Sequence, residues 1–185
     1  MSVLRQMQTY YAIHLEHFSL DWSGDIYDTL LVKSFPSEFL EGDYSQDVQT
    51  LSFVYPSMYA NKYYLDGIAE GYFSVFNSST GTGDTSKVTS YTVTLESTPD
   101  EVGAKSTIFT ITRAVSTASS VASSTYLSLP IYAPIDAKLV NADEKLILTL
   151  SFTGTQPSSG YLGIACANDS TNIDNLIKIP YAPSG

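Results

Sequence analysis

The chain is 185 residues long and carries a formal net charge of −10, with 43% hydrophobic and 15% charged residues. This length suits one well-filled domain, and this hydrophobic content is that of a globular protein, which excludes a disordered chain as the starting expectation. Nucleic-acid affinity depends on Lys and Arg that neutralise phosphates, so a chain this acidic is not expected to bind nucleic acid directly.

Residues 3–22 mix two periodicities. Apolar residues recur at helical spacing from Leu4 to Trp22, while Tyr11, Ile13 and Leu15 alternate as they would on a strand. We favour a short helix or irregular lead over about 2–9, followed by a strand to about residue 20. In domain terms, residues 1–22 form an N-terminal lead and possible assembly arm, and residues 23–185 form a single β-sandwich domain.

The rest of the chain is a series of apolar or alternating segments bounded by Gly, Pro and small polar residues, which is typical of strands. The predicted strands are 26–35, 48–55, 67–77, 87–96, 105–115, three strands within 124–169, and a closing strand at 172–181. Residues 58–65 fit either a short strand or a loop. The acidic segment 36–47 and the Ser-rich segment 116–124 are predicted loops, and the second is expected to be exposed and mobile.

The strand around residue 148 shows the clearest pattern. Leu146, Leu148, Leu150 and Phe152 fall on one face, and mostly polar residues fall on the other. A second sheet must cover this apolar face, and we expect the strands at 26–35, 48–55, 87–96 and 105–115 to supply that cover. The fold class is therefore predicted as all-β, an antiparallel two-sheet β-sandwich of the jelly-roll kind.

No candidate metal site is complete. His14 and His17 could share a metal on a helix but would face opposite sides on a strand, and no third ligand accompanies them. Asp169, Asn172 and Asp174 offer oxygen ligands of the kind that Ca²⁺ uses, but they lack the spacing of a calcium loop. We expect exposed or interface histidines and an ordinary turn, and we predict no metal-ligating residue and no cofactor.

No catalytic constellation can be assigned either. A nucleophilic triad needs a His beside a Ser or Cys, yet no G-x-S-x-G motif occurs and both histidines lie near the N-terminus. Cys166, the only cysteine, lies in an apolar run and is expected to be a buried, inert thiol. The polar segment 141–144 is predicted to be a turn. We therefore predict that the chain is not an enzyme and has no catalytic or cofactor-binding residue.

Ten of the fourteen tyrosines lie between Tyr10 and Tyr91. Tyrosine buries a large area at low entropic cost and keeps a polar tip, so it is enriched at protein interfaces. The tyrosines predict a substantial protein–protein interface in the N-terminal half. A sugar-binding aromatic platform that includes Trp22 is the alternative.

The C-terminal half carries the segments STYLSLPIY, NADEKLILTLSF, GYLGIACAND and NLIKIPY in that order. Over residues 87–181 this order resembles β-sandwich virion structural proteins of tailed or related viruses. The resemblance implies a non-enzymatic capsid decoration, turret or vertex protein, located in the virion after synthesis in a host cytoplasm. It implies other virion proteins and copies of the chain itself as partners, in a symmetric homo-oligomer.

The remaining expectations concern other partners. No apolar run has the length of a membrane span or of an export signal, so no membrane span is expected. A carbohydrate- or receptor-binding β-sandwich module is the alternative function, with a glycan as its ligand.

Overall fold

A computed structural model describes residues 6–14, 29–33, 45–55, 62–81, 86–99, 104–165 and 175–183. Within these residues all regular secondary structure is β-strand, which confirms the predicted all-β class. The eleven strands are β1 (Gln6–His14), β2 (Thr29–Val32), β3 (Ser45–Gln46), β4 (Thr50–Tyr55), β5 (Tyr63–Asn77), β6 (Ser86–Thr98), β7 (Ser106–Val121), β8 (Tyr126–Val140), β9 (Lys145–Thr155), β10 (Leu162–Ala165) and β11 (Leu176–Pro183).

The strands form two antiparallel sheets that pack face to face, so the predicted sandwich is confirmed. The first sheet contains β8, β5, β11, β1 and β2, with β10 and β3 continuing from the far end of β5. The second sheet has the order β4-β9-β6-β7. One parallel pair, Leu30 with Val54, joins β2 to β4 and closes the sandwich along that side.

Alternation of side chains builds the core between the sheets. On β9, Leu146, Leu148, Leu150 and Phe152 are all at most 2% exposed, as their spacing predicts. Facing them from the first sheet are buried residues of β1, β5, β8 and β11, among them Phe73 and Ile131. The apolar side of each strand is thereby removed from water, which is the main favourable contribution to folding.

The strands that pack on the apolar face of β9 are not the predicted ones. The strands β4 and β6 are hydrogen-bonded neighbours of β9 in its own sheet, and β7 follows β6. Of the four segments expected to provide cover, only 26–35, which contains β2, belongs to the opposite sheet. Amphipathic alternation shows which face of a strand is buried, but it does not show which strands pair and which oppose each other.

Three local predictions are wrong. Residues 6–9, expected in a helix or irregular lead, belong to β1, which pairs with β11 through residues 6–11. The segment 116–124, expected as a mobile loop, continues β7 as far as Val121 and pairs with β6. The predicted loop 36–47 contains the short strand β3. In each case backbone pairing with a neighbouring strand outweighs a weak local preference.

On the side of β5 that faces away from β8, two strands pair with it one after the other. β11 pairs with residues 63–72 of β5 and β10 with residues 75–77. Asn175 is buried where they meet: its side-chain oxygen accepts the Ser74 N–H at 3.1 Å, and its amide donates to the Ala165 carbonyl at 2.7 Å. This one side chain satisfies backbone groups that the interrupted ladder would leave without partners.

Candidate functional site

The outer face of the second sheet is a regular array of hydroxyl groups. Two rows cross its four strands, and hydroxyls of neighbouring strands hydrogen-bond to each other at 2.8–3.3 Å. We call this the hydroxyl face; its residues are Thr50, Ser52, Thr92, Thr94, Thr110, Thr112, Thr149 and Ser151. Such cross-strand pairs stabilise a solvated sheet and leave little apolar surface exposed.

The outer face of the first sheet has the opposite chemistry. All five large hydrophobic side chains that are exposed among the described residues lie on its strands β1, β5 and β8. We call this the aromatic face; its residues are Met7, Tyr64, Ile68, Tyr126 and Tyr132. Exposed apolar side chains that are concentrated on one sheet can mark an interaction site, so the aromatic face is the candidate functional site.

Strand β8 positions the most exposed tyrosine of this face. Tyr132 is 52% exposed and stands between Pro130 and Pro134, which point to the same side of the strand. It pairs in register with Glu70 of β5, and on its other side its carbonyl oxygen accepts a hydrogen bond from Arg113 at 3.2 Å. The backbone that carries Tyr132 is thus fixed from both sides and stiffened by two prolines.

A second tyrosine is fixed by a ring contact. The Tyr126 ring lies 4.6 Å from the Phe76 ring, centroid to centroid, at an interplanar angle of 38°. Phe76 and Tyr126 are opposite each other on β5 and β8, so the contact is a direct cross-strand pair. Aromatic pairs of this kind contribute about 0.5–1.5 kcal/mol beyond their buried area. Tyr126 therefore presents its exposed side in a defined orientation.

The edge of β8 is closed by side chains from the second sheet. The Tyr91 hydroxyl on β6 donates to the Pro130 carbonyl at 2.6 Å, next to the bond from Arg113 to Tyr132. The Tyr91 ring also meets Phe73 of the first sheet edge to face at 5.8 Å. Burial raises the pKa of the Tyr91 phenol, and the charge of Arg113 opposes part of that increase. These bonds occupy carbonyls that an edge strand would otherwise expose.

The predicted polar candidates have different outcomes. Segment 141–144 is a turn, as predicted, in which the Glu144 carboxylate accepts the Asn141 N–H at 2.6 Å and the Ser97 hydroxyl at 3.3 Å. His14 is on strand β1. His17, Cys166 and the segment 169–174 lie outside the described residues. Among the described residues, no group of three His, Cys, Asp or Glu side chains could hold a metal ion.

The tyrosines of the N-terminal half are divided between core and surface. Tyr10, Tyr63 and Tyr91 are buried, whereas Tyr64 is 42% exposed on the aromatic face. Trp22, Tyr27, Tyr44 and Tyr59 lie outside the described residues. The other two exposed tyrosines of the aromatic face, Tyr126 and Tyr132, come from the C-terminal half, to which the density of tyrosines did not point. Their signal was a strand in which Tyr and Pro alternate with Leu and Ile, so both faces are apolar.

No helix in the described part of the chain is long and apolar enough to cross a membrane. The predictions of self-association, of no nucleic-acid partner, of a glycan ligand and of a virion location have no observation that tests them and stay predictions. The same applies to the assembly-arm role of residues 1–22 and to the resemblance over residues 87–181.

Comparison with known proteins identifies the fold in other molecules. No family model and no curated protein matches the chain. It is similar to two crystal structures of a CocE/NonD family hydrolase from Staphylococcus aureus, with TM-scores of 0.63 and 0.60 at 11% identity. Each match covers 96% of this chain but only 37% or 36% of the hydrolase chain, so the chain spans little more than a third of its length.

At this identity the likeness shows the fold alone. An α-amino acid ester hydrolase matches more weakly, with a TM-score of 0.43 at 10% identity, and carries no argument. The two crystal structures with TM-scores of 0.63 and 0.60 are nonetheless of a hydrolase and not of a virion protein. The predictions of a virion structural protein and of a chain without an enzymatic role are therefore wrong. The first rested on strand motifs that specify a sandwich and carry no information about its use, and the second rested on the lack of a recognisable catalytic constellation in the sequence.

Proposed function

We propose that the chain is the β-sandwich unit of a hydrolase and works together with a catalytic unit. One observation carries this proposal: nearly the whole chain aligns with a segment of a CocE/NonD family hydrolase that makes up 37% of that enzyme. The larger part of the hydrolase lies outside the match. This coverage supports a role for the chain as one structural unit of a larger enzyme.

The aromatic face supports the same proposal. A sandwich that acts alone in water gains nothing from exposing Tyr126, Tyr132 and Ile68 on one sheet while the other sheet carries hydroxyls. A sandwich that belongs to a larger enzyme needs one face that is compatible with water and one that is compatible with protein. The reaction class we propose for the assembly is hydrolysis.

The test uses the native assembly. The chain is tagged in the cells that make it, the extract is fractionated by size, and each fraction is assayed with p-nitrophenyl esters and amino acid esters. We expect the chain in a species well above its own 20.1 kDa, together with hydrolysis that capture through the tag removes from the extract. A denaturing gel then shows whether the catalytic unit is in the same polypeptide or in a separate one.

The opposite result is equally clear. If the chain elutes at its own mass, and capture of the chain leaves every hydrolytic activity in the extract, the proposed function is wrong. An extract from cells with an untagged chain serves as the control for nonspecific capture.

A further inference from the structure

We infer that Pro130 and Pro134 protect the free edge of β8 against strand addition and so prevent a second copy of the chain from extending the first sheet. Strand β8 pairs with β5 on one side, and no described strand pairs with it on the other. A strand with one unpaired side is a template for another strand, and proteins protect such edges with particular residues. This inference does not depend on the proposed function.

The hydrogen bonds around β8 show which residues point to its free edge. The Pro130 carbonyl accepts the Tyr91 hydroxyl at 2.6 Å. The Tyr132 carbonyl accepts a bond from Arg113 at 3.2 Å. Both donors lie on the second sheet, so both carbonyls point away from β5. In an antiparallel strand the N–H and C=O of one residue point to the same side, and this side alternates along the strand. The register with β5 is unbroken across this part of β8, so Pro134 points the same way.

The two prolines remove hydrogen-bond donors from this edge. Because proline has no N–H, an incoming strand finds no donor at residues 130 and 134. Directed toward β5, either proline would interrupt the ladder, and proline inside a strand is accordingly found at unpaired edges and at bulges. Between Pro130 and Pro134 the edge keeps one outward N–H group, that of Tyr132.

The spacing of the prolines matches a pairing between two copies. When two antiparallel β8 strands are related by a two-fold axis, one residue lies opposite itself. If that residue is Tyr132, Pro130 lies opposite Pro134 of the second copy, and the Tyr132 N–H of each copy is the donor that remains there. Asp136 then faces Ser128, so like charges on this edge do not oppose each other. The missing donors are what prevents this pairing.

The neighbouring strand β7 is a poorer candidate for the strand that is excluded. Where β6 advances from Val88 to Ser90, the paired residues of β7 run from Ser119 to Ala114, so an expanded bulge distorts its course. The Arg113 side chain, and not a backbone hydrogen bond, joins β7 to the middle of β8. The first sheet therefore ends at β8, and the strand that the prolines exclude comes from outside the chain.

Restoring the missing N–H groups tests the inference. P130T and P134T are combined in one variant of the full chain. The matched control is S128T, which adds a strand-favouring side chain at the same edge but no N–H group. In sedimentation velocity over a wide range of concentrations, we expect the proline variant to form a dimer, twice the 20.1 kDa of the chain, that neither wild type nor S128T forms.

Hydrogen exchange locates the new contact. We expect the Tyr132 amide to exchange several-fold more slowly in the dimer than in wild type, because its N–H then bonds to the second copy. The Thr94 amide, in the middle of the second sheet, is the internal reference. Circular dichroism shows whether the variants are folded. If the combined variant does not fold, P130T and P134T are measured singly, and each is expected to give a weaker dimer.

Four results would overturn the inference. The first is a folded proline variant that keeps the mass of wild type at every concentration. The second is protection of the Tyr132 amide in a chain of unchanged mass, because β8 would then have paired with β7. The third is a dimer in which this amide exchanges as in wild type, because the contact would lie on another surface. The fourth is a dimer of Y91F/R113A equal to that of the proline variant, because the side-chain bonds to the edge would then suffice to protect it.

Discussion

The outer faces of the two sheets differ in chemistry although the same alternation of side chains builds both. On the second sheet, four strands carry Thr and Ser, and their hydroxyls bond between β4 and β9 and between β6 and β7. On the first sheet, the neighbouring strands β5 and β8 carry Tyr, Ile and Pro on their outer side. The outer face of the second sheet is polar and suited to contact with water, whereas the outer face of the first sheet still exposes large apolar side chains.

The interiors of the two sheets differ as well. The second sheet is a ladder of four strands in which β9 pairs along most of its length with β6. The first sheet changes partners partway along β5 and needs Asn175 to satisfy the junction. The sheet with the candidate interface is thus also the one whose pairing depends on a buried side chain. Substitutions can test that difference, and we take them in decreasing order of effect.

The largest effect is expected from adding a methyl group where two strands approach closely. A Cβ on Gly71 would overlap the Leu176 carbonyl oxygen in the first sheet, and one on Gly154 would overlap the Lys87 carbonyl oxygen in the second. Because backbone atoms must move, we expect Gly71→Ala and Gly154→Ala each to lower the free energy of unfolding by about 3 kcal/mol. Urea denaturation followed by circular dichroism measures this.

Ala114→Ser, at an exposed position on β7, is the control and should stay within about 0.5 kcal/mol of wild type. Equal losses at Gly71 and Gly154 would show that the two sheets are equally rigid. A loss below about 1 kcal/mol at either glycine would contradict the prediction, because the strands would then separate easily at that point.

The next effect concerns the junction in the first sheet. Asn175→Ala leaves the Ser74 N–H and the Ala165 carbonyl buried without their present partner, and each such group costs about 1–3 kcal/mol. We expect a loss of about 2 kcal/mol in the free energy of unfolding and faster hydrogen exchange at the Ser74 amide. The comparison variant is Asn141→Ala in the exposed turn after β8, which removes only the bond from the side-chain amide to the Glu144 carboxylate, so the loss should be at most about 1 kcal/mol.

Exchange at Ser74 that is unchanged in Asn175→Ala would show that the junction does not depend on this side chain. The same measurement at Thr94, in the middle of the second sheet, serves as an internal reference, because no change is expected there.

The sequence predicted the parts of the fold that depend on local pattern. Period-two alternation located β6, β8 and β9 and the buried face of β9, because each side chain of a strand reports its own environment. It did not show that β4 and β6 lie beside β9, since pairing depends on contacts between residues far apart in sequence. Nor did it show the end of β7, because Ser and Ala in 116–120 prefer no structure strongly.

The sequence predicted an interface rich in tyrosine, but it did not predict which residues form the candidate site. Tyrosine content indicated an interface in the N-terminal half, where Tyr64 is exposed but Tyr10, Tyr63 and Tyr91 are core residues. A tyrosine on a two-sided apolar strand faces in or out according to register, and register is set by the partner strand. For β8 that partner is β5, which lies well before it in the chain. Tyr132 could not be placed on the surface before this pairing was known.

A smaller effect is expected where the second sheet closes the edge of the first. Tyr91→Phe removes the hydrogen bond to the Pro130 carbonyl and should lower the free energy of unfolding by about 1 kcal/mol at neutral pH. The pKa of Tyr91 is raised in the folded chain, so its neutral form is favoured by folding. This stabilisation is present below pH ~10 and is lost as the pH rises through the folded pKa.

The pH dependence separates this role from simple packing. Above pH ~10, wild type should lose stability more steeply than Tyr91→Phe as the pH rises through the raised pKa of Tyr91. Parallel curves for wild type and Tyr91→Phe would show that the Tyr91 phenol does not contribute in this range.

The smallest effect on stability is expected from substitutions on the outer faces. There the two sheets should differ in retention on a hydrophobic-interaction column. Tyr132→Ser and Thr112→Ser should each change the free energy of unfolding by less than about 0.5 kcal/mol, because both side chains are exposed. Retention of the folded chain on a hydrophobic-interaction column should fall for Tyr132→Ser and stay constant for Thr112→Ser, which keeps its hydroxyl beside Thr92. Equal retention of wild type and both variants would mean that the aromatic face is not an accessible apolar surface, and the chemical contrast between the two sheets would then have no consequence in solution.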